Sequence, residues 1–399
     1  MKPYNIPTWR EAARRKLPQA IFDYIDGGAE DEVTMRANSS SFSDVRLRYR
    51  IHEDQAPIDL STTLCGLPMT MPVMISPIGN VGMIHPSGDL AMAKIAAKLG
   101  LIMMLSGGAS YSLEEVARGA DPKPWYQLYP WIDRSFYGGL IERAEAECYR
   151  GLVLTVDTPG GANRERDIAN AFTIPPRLTR RNAIEILRHP EWTMGVLRER
   201  RIVLRVFLED DKTPSLRTFV REAKRTAGAM TRTLMRPTWD DIAWIRERWK
   251  GPFGVKGIVD PGDARRAADL GVDVILVSNH GGRQLDSAPA LFEALPAVVD
   301  AVDGHAEVVL DGGVRRGTDV IKALCMGARA VSVGRPWVYG LGAAGPAGAE
   351  AVLENFRREL MIAMNLLGKT SVAGLDRSWL MPAGTPTSRL SPDFADTHS

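Results

Sequence analysis

The sequence predicts an α/β chain folded as a (β/α)8 barrel with one long insertion between units four and five. Three observations predict it. Eight short apolar runs recur between residues 73 and 334, separated by stretches of helical length and pattern, the alternation expected of parallel strands joined by crossover helices. Polar residues stand at the C-terminal end of nearly every run, where a barrel of this kind builds its site. The rhythm breaks once, over residues 177–236, a connection too long for an ordinary αβ loop.

Ahead of the first run, Trp9 to Lys16 reads as a short amphipathic helix and Pro18 restarts the chain. Residues Ala20 to Glu30 read as a second helix stopped at Gly27-Gly28, which places Tyr24 near its C-terminal turn. Taken alone, Tyr24 reads as an ordinary half-buried aromatic. The eight runs are Val73–Ser76, Leu101–Ser106, Trp125–Leu128, Gly151–Val156, Phe253–Lys256, Val274–Ser278, Val308–Asp311 and Ala330–Gly334. Helical segments among them include Asp89–Leu99, Phe136–Cys148, Asp240–Trp249, Pro261–Leu270 and Gly317–Met326. The strand ends then gather Ser76, Ser106, Gln127, Tyr129, Thr155, Lys256, Ser278, His280, Asp311 and Arg335 at one mouth.

Composition is that of a globular chain. Of 399 residues, 45% are apolar and 25% charged, and the whole chain, residues 1–399, reads as one barrel domain. The formal net charge of +2 gives no general attraction to nucleic acid. Cys65, Cys148 and Cys325 are scattered and odd in number, with no metal-ligand spacing, so neither a disulfide framework nor a metal is expected. The first residues lack an apolar signal core, and no apolar run reaches the roughly 18 residues of a spanning helix. A cytoplasmic protein is expected, with peripheral contact on the inner face of a membrane as an alternative. That alternative comes from the insertion, whose 15 basic and 7 acidic residues give a local net charge of +8. Apolar residues such as Trp192, Met194, Leu197, Val203 and Phe207 interleave with the basic ones. The segment fits an anionic membrane surface, a lid, or an oligomer contact.

The chemistry centres on Ser278-Asn279-His280-Gly281-Gly282-Arg283-Gln284-Leu285-Asp286, directly after the sixth run. His280 can take a proton near neutral pH, and Arg283 can hold a carboxylate in a bidentate fork. By itself the stretch also fits a hydrogen-bonded turn with a solvated arginine. Arg164, after the fourth run, supplies a second cation for a carboxylate clamp, and Asp157 could pair with His280 and favour its protonated form. Asp311-Gly312-Gly313-Val314-Arg315-Arg316-Gly317 and Gly334-Arg335 follow runs seven and eight, the two places where such barrels hold a phosphate. Lys256 lies inside the fifth run. Facing inward beside that cradle, it suits a flavin whose reduced ring carries negative charge; facing outward, it would be an ordinary surface lysine. Gln127, Thr155, Ser106 and the backbone of Pro77-Ile78-Gly79 could supply further polar contacts to the ring.

These motifs together resemble the FMN-dependent 2-hydroxy-acid oxidases and dehydrogenases, over about Trp9 to Leu366. The resemblance implies FMN as cofactor and oxidation of an (S)-2-hydroxy acid to the 2-oxo acid. It implies His280 as the proton acceptor, supported by Asp157. Arg164, Arg283 and Tyr24 would bind the carboxylate, and Tyr129 would contact the substrate hydroxyl. Lys256 would balance charge on the reduced flavin, with Pro77, Ile78, Gly79, Ser106, Gln127, Thr155 and Ser278 along the ring and ribityl chain. Asp311, Gly313, Arg315, Gly334 and Arg335 would hold the ribityl and phosphate end. Two departures bear on substrate. Gly79 stands where glycolate-oxidase-like members carry alanine, and Gly108 falls where a bulky tryptophan is usual in them. Both lean towards a mandelate- or lactate-type dehydrogenase with room for an aromatic or branched acid. The alternatives are an oxygen-using oxidase or lactate-monooxygenase-like enzyme, action on an unusual biosynthetic intermediate, or a non-redox FMN isomerase. The electron acceptor would be a quinone, oxygen or another carrier, and a homo-oligomer, typically a tetramer, is expected.

Overall fold

The structure, a computed structural model, describes residues 3–52, 55–131, 134–172, 180–202, 204–207, 215, 218, 221–226 and 236–383. Residues 177–179, 203, 208–214, 216–217, 219–220 and 227–235 of the basic insertion, Val203 among them, lie outside that set. Eight parallel strands form the barrel: β1 (Val73–Ile75), β2 (Met104–Ser106), β3 (Trp125–Leu128), β4 (Leu152–Thr155), β5 (Phe253–Ile258), β6 (Val274–Val277), β7 (Glu307–Asp311) and β8 (Ala330–Val333). β1 pairs with β8, and the ring closes where the Ile75 N–H donates to the Ile102 carbonyl at 2.9 Å. The predicted runs therefore appear as strands in the predicted order. The apolar start of the second run, Leu101 and Ile102, precedes its strand.

Side chains alternate across a strand, so every second residue faces the barrel interior. The inward positions change character along each strand. Near the N-terminal ends, Met74, Met104, Trp125, Val153, Leu276, Val309 and Ala330 pack into one apolar cluster with Leu64 and Met69. Those last two come from an antiparallel hairpin, Thr62–Leu64 with Leu67–Met69, which covers that end. Two residues further along each strand the buried residues are polar: Ser76, Ser106, Gln127, Thr155, Lys256, Ser278, Asp311 and Ser332. This second layer is the floor of the mouth.

Three helices precede the barrel: α1 (Ile6–Lys16), α2 (Gln19–Asp26) and α3 (Val33–Ser40). α1 opens with a capping box in which Asn5 accepts from the Thr8 N–H, and it buries Ile6, Trp9 and Ala13 along one face. It packs on the C-terminal helix Arg335–Leu367, which is kinked at Ala344–Gly345 ahead of Pro346. Asp26 ties this layer together. It accepts from Arg10 at 2.5 and 2.6 Å, from Arg166 at 2.8 Å and from the Tyr339 hydroxyl at 2.7 Å. A nearly buried carboxylate needs such partners to remain charged.

Candidate active site

The stretch after β6 takes an uncommon backbone path. His280, Gly281 and Gly282 have φ of 56°, 65° and 75°. Glycine adopts this left-handed region freely, but histidine does so at a cost. The surroundings hold it there. The Ser278 hydroxyl accepts from the His280 N–H at 3.2 Å, and Asn279 exchanges side-chain hydrogen bonds with Asn38 of α3 at 2.8 and 3.0 Å. The Asp286 carboxylate caps α3 by accepting from the Val33 and Thr34 N–H groups at 3.1 and 2.8 Å. The pre-barrel helices thus form part of the site's frame.

His280 Nδ1 lies 2.9 Å from the Asp157 carboxylate. Asp157 sits where β4 and β5 diverge, against Gly257, where φ is 112° and a Cβ would come within 2.7 Å of the Asp157 side chain. With Nδ1 engaged, Nε2 remains for a substrate. Burial pulls the imidazole below its ordinary value of 6.5, and Lys256 and Arg283 push the same way; Asp157 opposes them without winning. Asp157 therefore orients the ring more than it charges it, and the resting histidine is a neutral base.

Arg283 reaches under α2, donating from Nη1 to the carbonyls of Tyr24 and Gly27 at 2.6 and 2.9 Å. The Tyr24 ring lies 5.1 Å from the Arg283 guanidinium and 5.7 Å from that of Arg164. Its hydroxyl approaches the Gly79 carbonyl at 3.5 Å. Burial, and then the Arg164 charge, lowers the Arg283 guanidinium to about 10. It stays protonated at neutral pH, but two cations beside one tyrosine ring favour an anion near them. Among the described residues no carboxylate pairs with Arg283. Tyr129 is buried beside Trp131 in an edge-on contact, and burial pushes its phenol up to about 12, so it remains a neutral hydroxyl.

The floor is a continuous polar chain. Lys256 faces inward: its Nζ lies 3.0 Å from both the Ser278 hydroxyl and the Asp311 carboxylate. Asp311 also accepts from Ser76 at 2.7 Å and Ser278 at 2.8 Å. Burial opposes the Lys256 charge, but Asp311 and Asp157 outweigh it and its pKa is raised. On the other side, Gln127 accepts from the Ser106 hydroxyl at 3.2 Å and donates to Thr155 at 2.8 Å. Pro77, Ile78 and Gly79 follow β1 at the rim, and Gly79 stands against Gly108 of the neighbouring β2 loop.

At the far edge, Gly312 and Gly313 turn with φ of 143° and 77°. Gly313 has no room for a side chain, since a Cβ would fall 1.9 Å from the Asn38 carbonyl oxygen. Half-buried Arg315 lies beside them. Gly334 caps the helix Arg335–Leu367, whose positive end faces the same edge. Arg335 donates to the Gly281 and Gly27 carbonyls, both at 2.9 Å, and its buried Nε has no protein partner. FMN fits this series of groups: amide and hydroxyls for a flat ring, a cation to balance charge on it, hydroxyls and a carboxylate for a polyol, and glycine N–H groups with arginine for a phosphate.

A barrel whose floor suits a flavin and whose mouth pairs a neutral histidine with two arginines defines a flavin-dependent oxidoreductase of small carboxylic acids. The comparisons give the particular family. Residues 13–382 match the FMN-dependent dehydrogenase family, and the chain belongs to it. It is 41% identical over 382 residues to a peroxisomal (S)-2-hydroxy-acid oxidase of Oryza sativa subsp. japonica, covering 96% of this chain and 97% of the relative. It is 40% identical over 377 residues to an L-lactate dehydrogenase of Pseudomonas syringae pv. syringae, covering 94% and 97%. The crystal structure of a monotopic membrane protein, (S)-mandelate dehydrogenase, superposes with a TM-score of 0.87 at 33% identity, covering 96% of this chain and all of that one. The chain is an FMN-dependent enzyme that oxidises 2-hydroxy acids.

Sequence reasoning missed several supports of the site. Asp26 and Arg166 link α2 to the loop bearing Arg164, and Asn38 anchors the loop bearing His280. Their pairing spans 140 and 241 positions, and no local pattern announces it. Leu204, inside the basic insertion, carries no sequence signal that sets it apart from the other apolar residues there.

Proposed function

We propose that this chain is a dehydrogenase of an (S)-2-hydroxy acid with an aromatic or branched side chain. The observation that supports this most is His280, neutral and held by Asp157, in the same mouth as Arg164 and Arg283. The two arginines bind the carboxylate, and the Tyr24 ring lies beside both. Tyr129 donates to the substrate hydroxyl oxygen. His280 takes at Nε2 the proton that the acid loses. FMN, when bound, would supply the two-electron acceptor chemistry for this oxidation. Lys256 would supply a positive charge to balance the reduced ring, while Asp311, Gly313, Arg315, Gly334 and Arg335 would hold the ribityl and phosphate end. Pro77, Ile78, Gly79, Ser106, Gln127, Thr155 and Ser278 line the rest. Anaerobic stopped-flow mixing with (S)-mandelate, (S)-lactate and glycolate tests the substrate. Fast bleaching of the flavin by mandelate, with slow recovery in air and fast recovery with a quinone, is expected. Fast recovery in air would make the enzyme an oxidase.

The histidine gives a pH prediction. Its folded pKa is depressed, so the base is competent above that value and is lost as pH falls through it. The acid limb of kcat/KM should lie below 6.5. Asp157→Asn removes the one influence that raises the pKa, so the limb should move lower still, with a reduced plateau. A limb above 6.5 would contradict a buried neutral base.

The insertion supports a peripheral membrane contact. Its helices Arg180–Arg188 and Pro190–Glu199 expose Ile184, Leu187, Met194 and Leu197, interspersed with Arg188 and Arg198. Among the described residues no helix is long and apolar enough to cross a membrane, so contact would be at the surface. Leu187→Glu with Leu197→Glu alters exposed positions and should abolish co-sedimentation with anionic vesicles while leaving turnover intact. Unchanged sedimentation would assign the segment to another role.

A further inference from the structure

The sequence suggests that Gly108 leaves the pocket open where related oxidases carry bulk. The structure fills that space from elsewhere. A Cβ placed on Gly108 would meet Gly79 Cα at 3.5 Å and the Leu204 side chain at 3.8 Å. Leu204 belongs to the returning arm of the insertion, over 110 residues from β1, and is fully buried. The glycines it packs against adjoin the candidate substrate residues. Gly79 receives the Tyr24 hydroxyl, and a Cβ on neighbouring Gly107 would lie 3.3 Å from the Tyr129 ring.

We propose that Leu204 is a specificity-determining residue, the apolar wall against which the substrate's side chain ends. This rests on the 2-hydroxy-acid reading and adds to it which part of the chain sets substrate size. The arm is firmly seated. The Leu204 N–H donates to the Thr226 hydroxyl at 3.3 Å, and the Arg205 N–H donates to the Ala109 carbonyl at 3.3 Å. Arg201 and Arg205 flank it and both approach Glu115, at 2.9 and 3.5 Å. Glu115 lies at the start of the helix that follows the β2 loop, so the wall is clamped to the loop that carries Gly108. A branched side chain held in this way excludes by shape, and each methylene accommodated or refused changes discrimination by roughly 10–200-fold.

The test uses FMN-loaded enzyme and unreactive acids, with binding read from the shift of the flavin absorbance. Acetate probes the carboxylate clamp alone, and phenylacetate and 4-phenylbutanoate probe the wall. In Leu204→Ala, 4-phenylbutanoate should bind at least about 10-fold tighter relative to acetate. The milder Leu204→Val should move the same ratio in the same direction, and Leu204→Trp should move it the other way, weakening phenylacetate as well. The kcat/KM for 2-hydroxy acids of increasing chain length should follow the same order. If acetate binds equally to all variants and the ratios stay within twofold, the wall is elsewhere and the inference fails. If acetate does not perturb the wild-type flavin at any concentration, the carboxylate clamp itself fails, and the inference falls with it.

Discussion

His280→Gln should slow flavin reduction by about 10²- to 10⁴-fold without releasing FMN. Glutamine matches the length of histidine and tolerates a similar backbone, so the loop after β6 should keep its anchors at Asn38, Ser278 and Asp286. What it lacks is a basic nitrogen at the position of Nε2. No neighbour offers a good substitute. Tyr129 is a neutral phenol pushed up to about 12 by burial. Lys256 is held protonated by Asp311 and Asp157. Arg283 is a cation at neutral pH. The Asp157 carboxylate, already beside position 280, would account for a residual rate. The measurement is single-turnover bleaching of the flavin under anaerobic conditions, with bound flavin quantified in the same sample. A rate within tenfold of wild type would show that the proton leaves by another route.

The barrel was legible because its two requirements are local. Each strand needs a short apolar run, and each run is followed in sequence by the residue that the alternation turns into the mouth. Met74 and Ser76, Val153 and Thr155, Leu276 and Ser278, and Val309 and Asp311 repeat one scheme, an apolar layer and a polar layer two residues on. Lys256 stood out because it is a lysine inside the fifth run, and the same alternation turns it inward, two residues beyond Gly254. The frame around the site was not legible. That Asp286 caps α3, that Asp26 collects Arg10, Arg166 and Tyr339, and that Leu204 covers Gly108 are facts about distant segments brought together by packing. Any one of these residues, seen in sequence, has a commonplace reading. The histidine's protonation was also out of reach. The carboxylate at Asp157 suggested a raised pKa, and burial, with the Lys256 and Arg283 charges, reverses the sign.

Lys256→Met should be the most destabilising single change at the floor. It leaves Asp311 buried with two hydroxyl partners and no counter-charge, and removing one member of a buried ion pair costs about 3–5 kcal/mol. The pH dependence has a definite sign. Asp311 is held below the usual carboxylate range: burial opposes its charge, but Lys256, Ser76 and Ser278 outweigh burial. Its stabilising contribution is therefore present above an unfolded value near 3.8 and is lost as pH falls through the folded one. In the variant that pKa rises, and the uncompensated charge is relieved by protonation. The gap in Tm between wild type and variant should be widest at neutral pH and should narrow on acidification. Adding Asp311→Asn removes the stranded charge, so the double variant should recover much of the lost stability, a coupling that independent sites would not show. The flavin distinguishes structure from chemistry. If Lys256 also balances negative charge on the reduced ring, the midpoint potential should fall in the single variant and remain low in the double one, although the fold has been restored. A potential that returns together with stability would make Lys256 a partner of Asp311 and nothing more.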